Sequence, residues 1–193
     1  MKILIAGVDE VGRGSLIGPV YAAAVIFKNK INKKKIRDSK KLTKKNREII
    51  EKYIKKNSYW SIGSASLKEI EKLNILNASL LAMKRAIKKL NKRPSSVLID
   101  GNKTPKMENY NLKYVIKGDE KIPEISAASI IAKVARDRLI GKISKKFTKY
   151  AWDKNAGYGT KINLKAIKKF GVTVYHRKTF SPIHNILSPN KIT

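Results

Sequence analysis

Apolar residues in this chain fall into short continuous runs near its start and into helical stripes further on. The runs ILIAGVDE (3–10) and VYAAAVIF (20–27) predict two strands joined by a glycine-rich connection. A lysine-rich link, KNKINKKKIRDSKKL, precedes a helix over about 43–56, where Ile49, Ile50, Tyr53 and Ile54 form the apolar stripe. YWSIGSAS (59–66) suits a third strand, and Ser66 with Glu69 has the spacing of a capping box that opens a short helix. In 75–90, Leu76, Leu80, Met83, Ile87 and Leu90 recur at steps of four and three, which predicts a second amphipathic helix. SVLID (96–100) and LKYVIKGD (112–119) read as single strands, the first stopped by GN and the second ending at a glycine and an acid. A long helix over 125–147 and a shorter one near 162–169 follow. Hairpin-like strands first and crossover-connected strands later describe one α/β domain with a mixed sheet.

Composition narrows the class. At 42% hydrophobic residues the 193-residue chain can bury a core, and no apolar stretch is long enough to span a bilayer. No signal-peptide pattern opens it, and the absence of cysteine excludes disulfides and thiolate metal sites; both fit a cytoplasmic protein. The 44 Lys and Arg against 14 Asp and Glu leave a net charge of +30. Such a charge suits a nucleic-acid partner, because lysines that neutralise phosphates release counterions. The coding bias of an A/T-rich genome, which also enriches Lys, Asn and Ile, is the competing explanation.

Against that background the acids stand out. Asp9 with Glu10, then Asp100, then Asp119 each end an apolar run beside a glycine. Ligands of open α/β sheets bind outside the carboxyl ends of the strands, and four carboxylates gathered there would repel one another without cations. Oxygen-only donors suit Mg²⁺ or Mn²⁺ rather than zinc. Any one of these aspartates alone reads equally as a turn cap. Adjacent strand residues point to opposite faces, so for Glu10 to join Asp9 the chain is expected to bend or bulge at Glu10. His176 and His184 match no zinc spacing and are expected at the surface or behind a site. Asp137, beside Arg136 and Arg138 in mid-helix, reads as an ion-pair residue. Arg13 between Gly12 and Gly14 is either a tight turn or a place where backbone approaches a ligand. The glycine spacing there matches neither a dinucleotide fingerprint nor a P-loop.

The blocks GVDEVGRGSLIGPVYAAAV, RDSKKLT, LNILNASLLAMKRAI, VLIDGN, VIKGDEKIPEISAASIIAKVARDR, GYGT and HRKTFSP resemble, in the same order, the motif series of bacterial ribonuclease HII. The resemblance runs from about residue 5 to about 184. The related type III enzymes carry an added N-terminal domain, whereas here the first strand starts at residue 3, which favours type II.

That resemblance implies a ribonuclease H-like fold: a five-stranded mixed sheet flanked by helices, with a small helical C-terminal segment from about 150 to 193 that binds substrate. It implies an endoribonuclease acting on RNA/DNA hybrids and 5′ of single ribonucleotides in duplex DNA. Asp9, Glu10, Asp100 and Asp119 correspond to its metal-binding catalytic acids. Two Mg²⁺ or Mn²⁺ ions held by such acids activate a water and stabilise the leaving oxygen. Gly12, Arg13 and Gly14 correspond to the motif that reads the 2′-hydroxyl, and Tyr158 to the tyrosine that packs on the next sugar. Without the resemblance Tyr158 would pass for an ordinary half-buried aromatic. Ser39, Lys40 and Lys41 are the best candidates for phosphate contacts. Asn155 and Ala156 depart from the basic or histidine residues that relatives often carry before GYGT. The tail NILSPNKIT lacks the paired aromatics of a sliding-clamp peptide, so that partner is not expected; a monomer with no obligate protein partner is the expectation. Another nuclease of the same fold and a non-catalytic basic binding protein are the rival classes.

Overall fold

β1 (Ile5–Val11) and β2 (Val20–Phe27) form the central hairpin, paired antiparallel from Ala6↔Ile26 to Val11↔Tyr21. β3 (Ser58–Ala65) pairs antiparallel with β2. β4 (Ser96–Asp100) and β5 (Leu112–Val115) add in parallel on the other side of β1, giving the order β3-β2-β1-β4-β5. The α-helices include α1 (Lys44–Asn57), α2 (Leu67–Lys88), α3 (Gly118–Lys121), α4 (Pro123–Ser144), α5 (Trp152–Asn155), α6 (Lys161–Phe170) and α7 (Ser181–Leu187). This is a computed structural model, and it describes residues 3–28, 31–32, 36 and 43–188.

Strand alternation sorts the core into two layers. Ala6, Val8, Ala22, Ala24, Val97 and Ile99 face α2, while Ala23 and Val25 face α1 and α4. The strands nearest the helices are rich in small residues, so the layers approach closely. A Cβ on Gly7 would sit 2.1 Å from the Glu124 carbonyl carbon of α4, and one on Gly63 would sit 2.1 Å from the Ala82 oxygen of α2. A third apolar cluster joins Leu16 and Ile17 of the β1–β2 connection to Ile140, Tyr150, Trp152, Ile167 and Ile183. The C-terminal helices are thereby anchored to the loop that follows the first strand. No helix among the described residues is long and apolar enough to cross a membrane.

Several local expectations shift. The predicted short helix and the helix over 75–90 are one element interrupted at Asn74 (φ 65°, ψ 167°), whose side chain caps the second half through the Asn77 amide. Ser66 and Glu69 do form the reciprocal capping box. In α1, Ile50 and Ile54 of the expected stripe are buried, but Ile49 is 54% exposed and Glu51 is buried in its stead, paired with Arg138 and Lys55. A periodicity count cannot foresee a carboxylate that brings its own cations. β5 stops at Val115, and the chain turns through Lys117 (φ 54°) into α3, so Asp119 lies in a helical turn rather than at a strand end.

Candidate active site

Parallel pairing of β1 with β4 sets Val8 opposite Ile99, so Asp9 and Asp100 follow side by side at the carboxyl ends of neighbouring strands. Gly7 and Asp9 share the face that meets α4, where Ser129 beside the Asp9 carboxylate favours its charged form. Asp9 is 5% exposed. Burial pushes its carboxyl well above the usual range, and the charges of Glu10 and Asp100 add to the shift. Glu10 is also raised, by burial first, with Arg13 opposing and Asp100 reinforcing. Asp100 accepts from the Gly118 amide at 2.7 Å and the Asp119 amide at 3.4 Å, which fastens the start of α3 against the end of β4. The packing at Gly118 is tight: a Cβ there would displace the end of the Ile125 side chain and press on Val115.

The expected bulge at Glu10 is absent: the β1–β2 ladder continues through Glu10↔Ala22 to Val11↔Tyr21. The break comes after it, at Gly12 (φ 92°). Glu10 therefore leaves the strand on the opposite face from Asp9, and its Oε1 lies 3.2 Å from the Arg13 guanidinium. Among the described residues, no three carboxylates or imidazoles close on one point that would seat a metal ion in this arrangement. The donor chemistry nonetheless suits a hard divalent cation. Asp9, Glu10 and Asp100 are oxygen donors; burial first, and repulsion from neighbouring carboxylates after it, holds Asp9 and Glu10 above the usual range, and a cation would relieve that repulsion.

Gly12–Ser15 forms a turn, with the Ser15 amide 3.4 Å from the Gly12 oxygen, and leaves Arg13 and Gly14 exposed. The Gly157–Tyr158 segment packs against it. Ser15 bridges to Tyr158, the Leu16 amide donates to the Gly157 oxygen at 2.8 Å, and Gly14 lies beside the Tyr158 ring, its Cβ position 3.8 Å from Cε1. The turn and the tyrosine, 144 residues apart, thus share one patch next to Glu10. Ser39, Lys40 and Lys41 lie outside the described residues.

The sequence of residues 6–183 matches the family model described as Ribonuclease HII. A Ribonuclease HII of Pelagibacter ubique is 73% identical over 187 residues, covering 97% of this chain and the whole of that protein. The chain belongs to the ribonuclease HII family. In structure it resembles the RNase HII of the PCNA complex from Archaeoglobus fulgidus, with a TM-score of 0.80 at 25% identity over 93% of this chain and 96% of that one. The fold alone is shared with Bst-RNase HIII in complex with Mn²⁺, at a TM-score of 0.69 and 16% identity over 98% of this chain and 70% of that one. Its five-stranded mixed sheet is thus ribonuclease H-like, and membership of the family makes this chain a metal-dependent endoribonuclease.

Within this ribonuclease HII chain three further residues, Arg136, Arg177 and His176, hold the site together, and residue patterns did not single out the two arginines for it. Arg136 and Arg177 are fully buried beneath the Gly12–Ser15 turn, and a Cβ on Gly12 would collide with Arg136 at 2.2 Å from Nε. Of the two places expected for His176, the surface or behind a site, it takes the second. It is 2% exposed, set edge-on to Tyr150 and Trp152, and its main chain bridges to Ile17. His184 is exposed. Asp137 is an ion-pair residue, but its partners are Lys133 at 2.7 Å and Arg47 at 3.7 Å; Arg138 is turned to Glu51 and Arg136 to main-chain carbonyls. The only sequence signal for the arginines was their place in the ARD and HRK blocks of the family resemblance. A buried guanidinium is recognised by the carbonyls around it, and those come from distant segments.

Proposed function

We propose that this chain hydrolyses the RNA strand of RNA/DNA hybrids and cuts duplex DNA on the 5′ side of single embedded ribonucleotides. One observation carries the reading: an exposed glycine-flanked turn and an aromatic ring lie together beside buried carboxylates that repel one another. In this reading Asp9, Glu10, Asp100 and Asp119 hold two Mg²⁺ or Mn²⁺ ions. Bound there, the ions would supply an activated water and stabilise the leaving 3′-oxygen. Gly12, Arg13 and Gly14 contact the ribose 2′-hydroxyl, the group that separates RNA from DNA. Tyr158 packs on the following sugar and leaves no room for another 2′-hydroxyl there. Lysines around the site, with Ser39, Lys40 and Lys41 among them, contact phosphates without reading sequence. The chain works as one catalytic domain over 1–193, with about 150–193 as its substrate-binding segment, as a cytoplasmic monomer without an obligate protein partner.

The test is an end-labelled DNA duplex with one ribonucleotide, incubated with and without Mg²⁺, with Asp100→Asn run alongside. The expected result is a metal-dependent cut 5′ of the ribonucleotide that Asp100→Asn abolishes while still binding the duplex. Duplex shifted without a cut, in Mg²⁺ and in Mn²⁺, or normal turnover by the variant, would refute the assignment.

A further inference from the structure

Arg177 lies in the segment before α7 and Arg136 on α4, both without exposed surface. Among the described residues neither forms a salt bridge. Each instead gathers main-chain carbonyls. Arg136 donates to Ile17 at 3.1 Å, Ala156 at 3.1 Å and Pro19 at 3.4 Å, and Arg177 to Gly18 at 2.9 Å and Arg13 at 2.8 Å. Burying a charge without a counter-ion is unfavourable, and the two guanidiniums also repel. Burial, with the charge of Arg136 behind it, brings Arg177 down to about 9. One donor of Arg177, Nη2, is buried with no partner among the described residues. A group retained under such conditions has a geometric task that a planar fork of donors can meet.

The bond to Arg13 identifies that task. The Arg13–Gly14 peptide is the middle one of the Gly12–Ser15 turn, and it is trans. In a trans peptide the carbonyl and the following N–H point in opposite directions. Arg177 draws the Arg13 carbonyl into the interior, so the Gly14 N–H is turned outward, on the exposed side of the turn beside Tyr158. We infer that Arg177 is a positioning residue for ribose recognition: by holding the Arg13 carbonyl inward it aims the Gly14 amide at the 2′-hydroxyl oxygen. The inference rests on the ribonucleotide-directed function proposed above. Arg136 supports the same loop from the other side but does not touch the Arg13 carbonyl.

The experiment compares binding in EDTA of two duplexes that differ only in one 2′-hydroxyl. One hydrogen bond to that group corresponds to roughly ten-fold tighter binding of the ribonucleotide duplex by the wild type. Arg177→Lys keeps the charge but not the fork, and is expected to bind both duplexes alike, with affinity for all-DNA duplex changed by less than about two-fold because phosphates dominate it. In Mg²⁺ its kcat on the single-ribonucleotide duplex falls by about a hundred-fold, the scale of an ångström-sized misplacement. A purely structural role would weaken both duplexes equally, and a folded Arg177→Lys with the wild-type ratio overturns the proposal. Should that variant not fold, the Gly14 amide resonance of the wild type decides: it must shift on adding the ribonucleotide duplex and not its all-DNA counterpart, and the same shift with both refutes the role. A wild type that cuts neither duplex in Mg²⁺ would sink the proposed function instead, a distinct outcome.

Discussion

Lowering the pH from 8 to 5 should remove about 2 kcal/mol of stability through one side chain, His176. Its imidazole is 2% exposed, with ring centroids 5.6 Å from Tyr150 and 5.5 Å from Trp152. The Thr173 amide donates to Nδ1 at 2.8 Å. Burial brings the folded-state value from 6.5 down to about 4. A histidine lowered on folding is stabilising in its neutral form. Its contribution is complete above the unfolded value of 6.5 and is lost as pH falls toward the folded value of about 4. At pH 5 the unfolded chain is mostly protonated and the folded one is not, which gives about 2 kcal/mol; below pH 4 the loss tends to about 3 kcal/mol. Urea unfolding of wild type and His176→Asn at pH 8 and pH 5 isolates this group, because every other titration is common to both. The wild type should lose about 2 kcal/mol more than the variant over that interval. Equal pH slopes would refute the argument. Since His176 bridges Ile17, and Leu16 bonds Gly157, acid loosening should reach the turn that carries Arg13.

Two further substitutions test the scaffold. Burial pushes Glu51 up, but Arg138 and Lys55 outweigh it and hold the carboxyl below its usual range. Glu51→Ala should therefore cost about 2 kcal/mol near neutral pH, because Arg138 is half-exposed and can rehydrate, and the cost should fade as the pH drops through the carboxylate range; an unchanged melting temperature at pH 7 would contradict this. Gly157→Ala places a Cβ 2.2 Å from Ile17 Cγ1 at φ 77°. A loss of about 2 kcal/mol or more is expected. Cleavage of a single-ribonucleotide duplex should fall further than duplex binding, and a wild-type cleavage rate would show that the Tyr158 contact is not needed.

The hydrophobic pattern alone determined the strands, the main helices and the mixed sheet, because periods of two and 3.6 are local properties of the backbone. β2 spans the same residues, 20–27, in the pattern and in the structure. Scarce acids after apolar runs were equally legible, since Asp9, Glu10 and Asp100 belong to the strands that position them. The family resemblance added the association of the GRG turn with Tyr158. Which face each acid takes was not local. Only the unbroken β1–β2 ladder sends Glu10 to the opposite side from Asp9, and only the left-handed Lys117 puts Asp119 in a helical turn. The buried charges were the least legible. Arg136, Arg177 and Glu51 look like solvated residues in a chain with 44 Lys and Arg. Their partners are carbonyls or cations brought from as far as 164 residues away, so their burial is a decision of the tertiary structure: desolvation is tolerated only where the assembled fold returns the hydrogen bonds that water supplied.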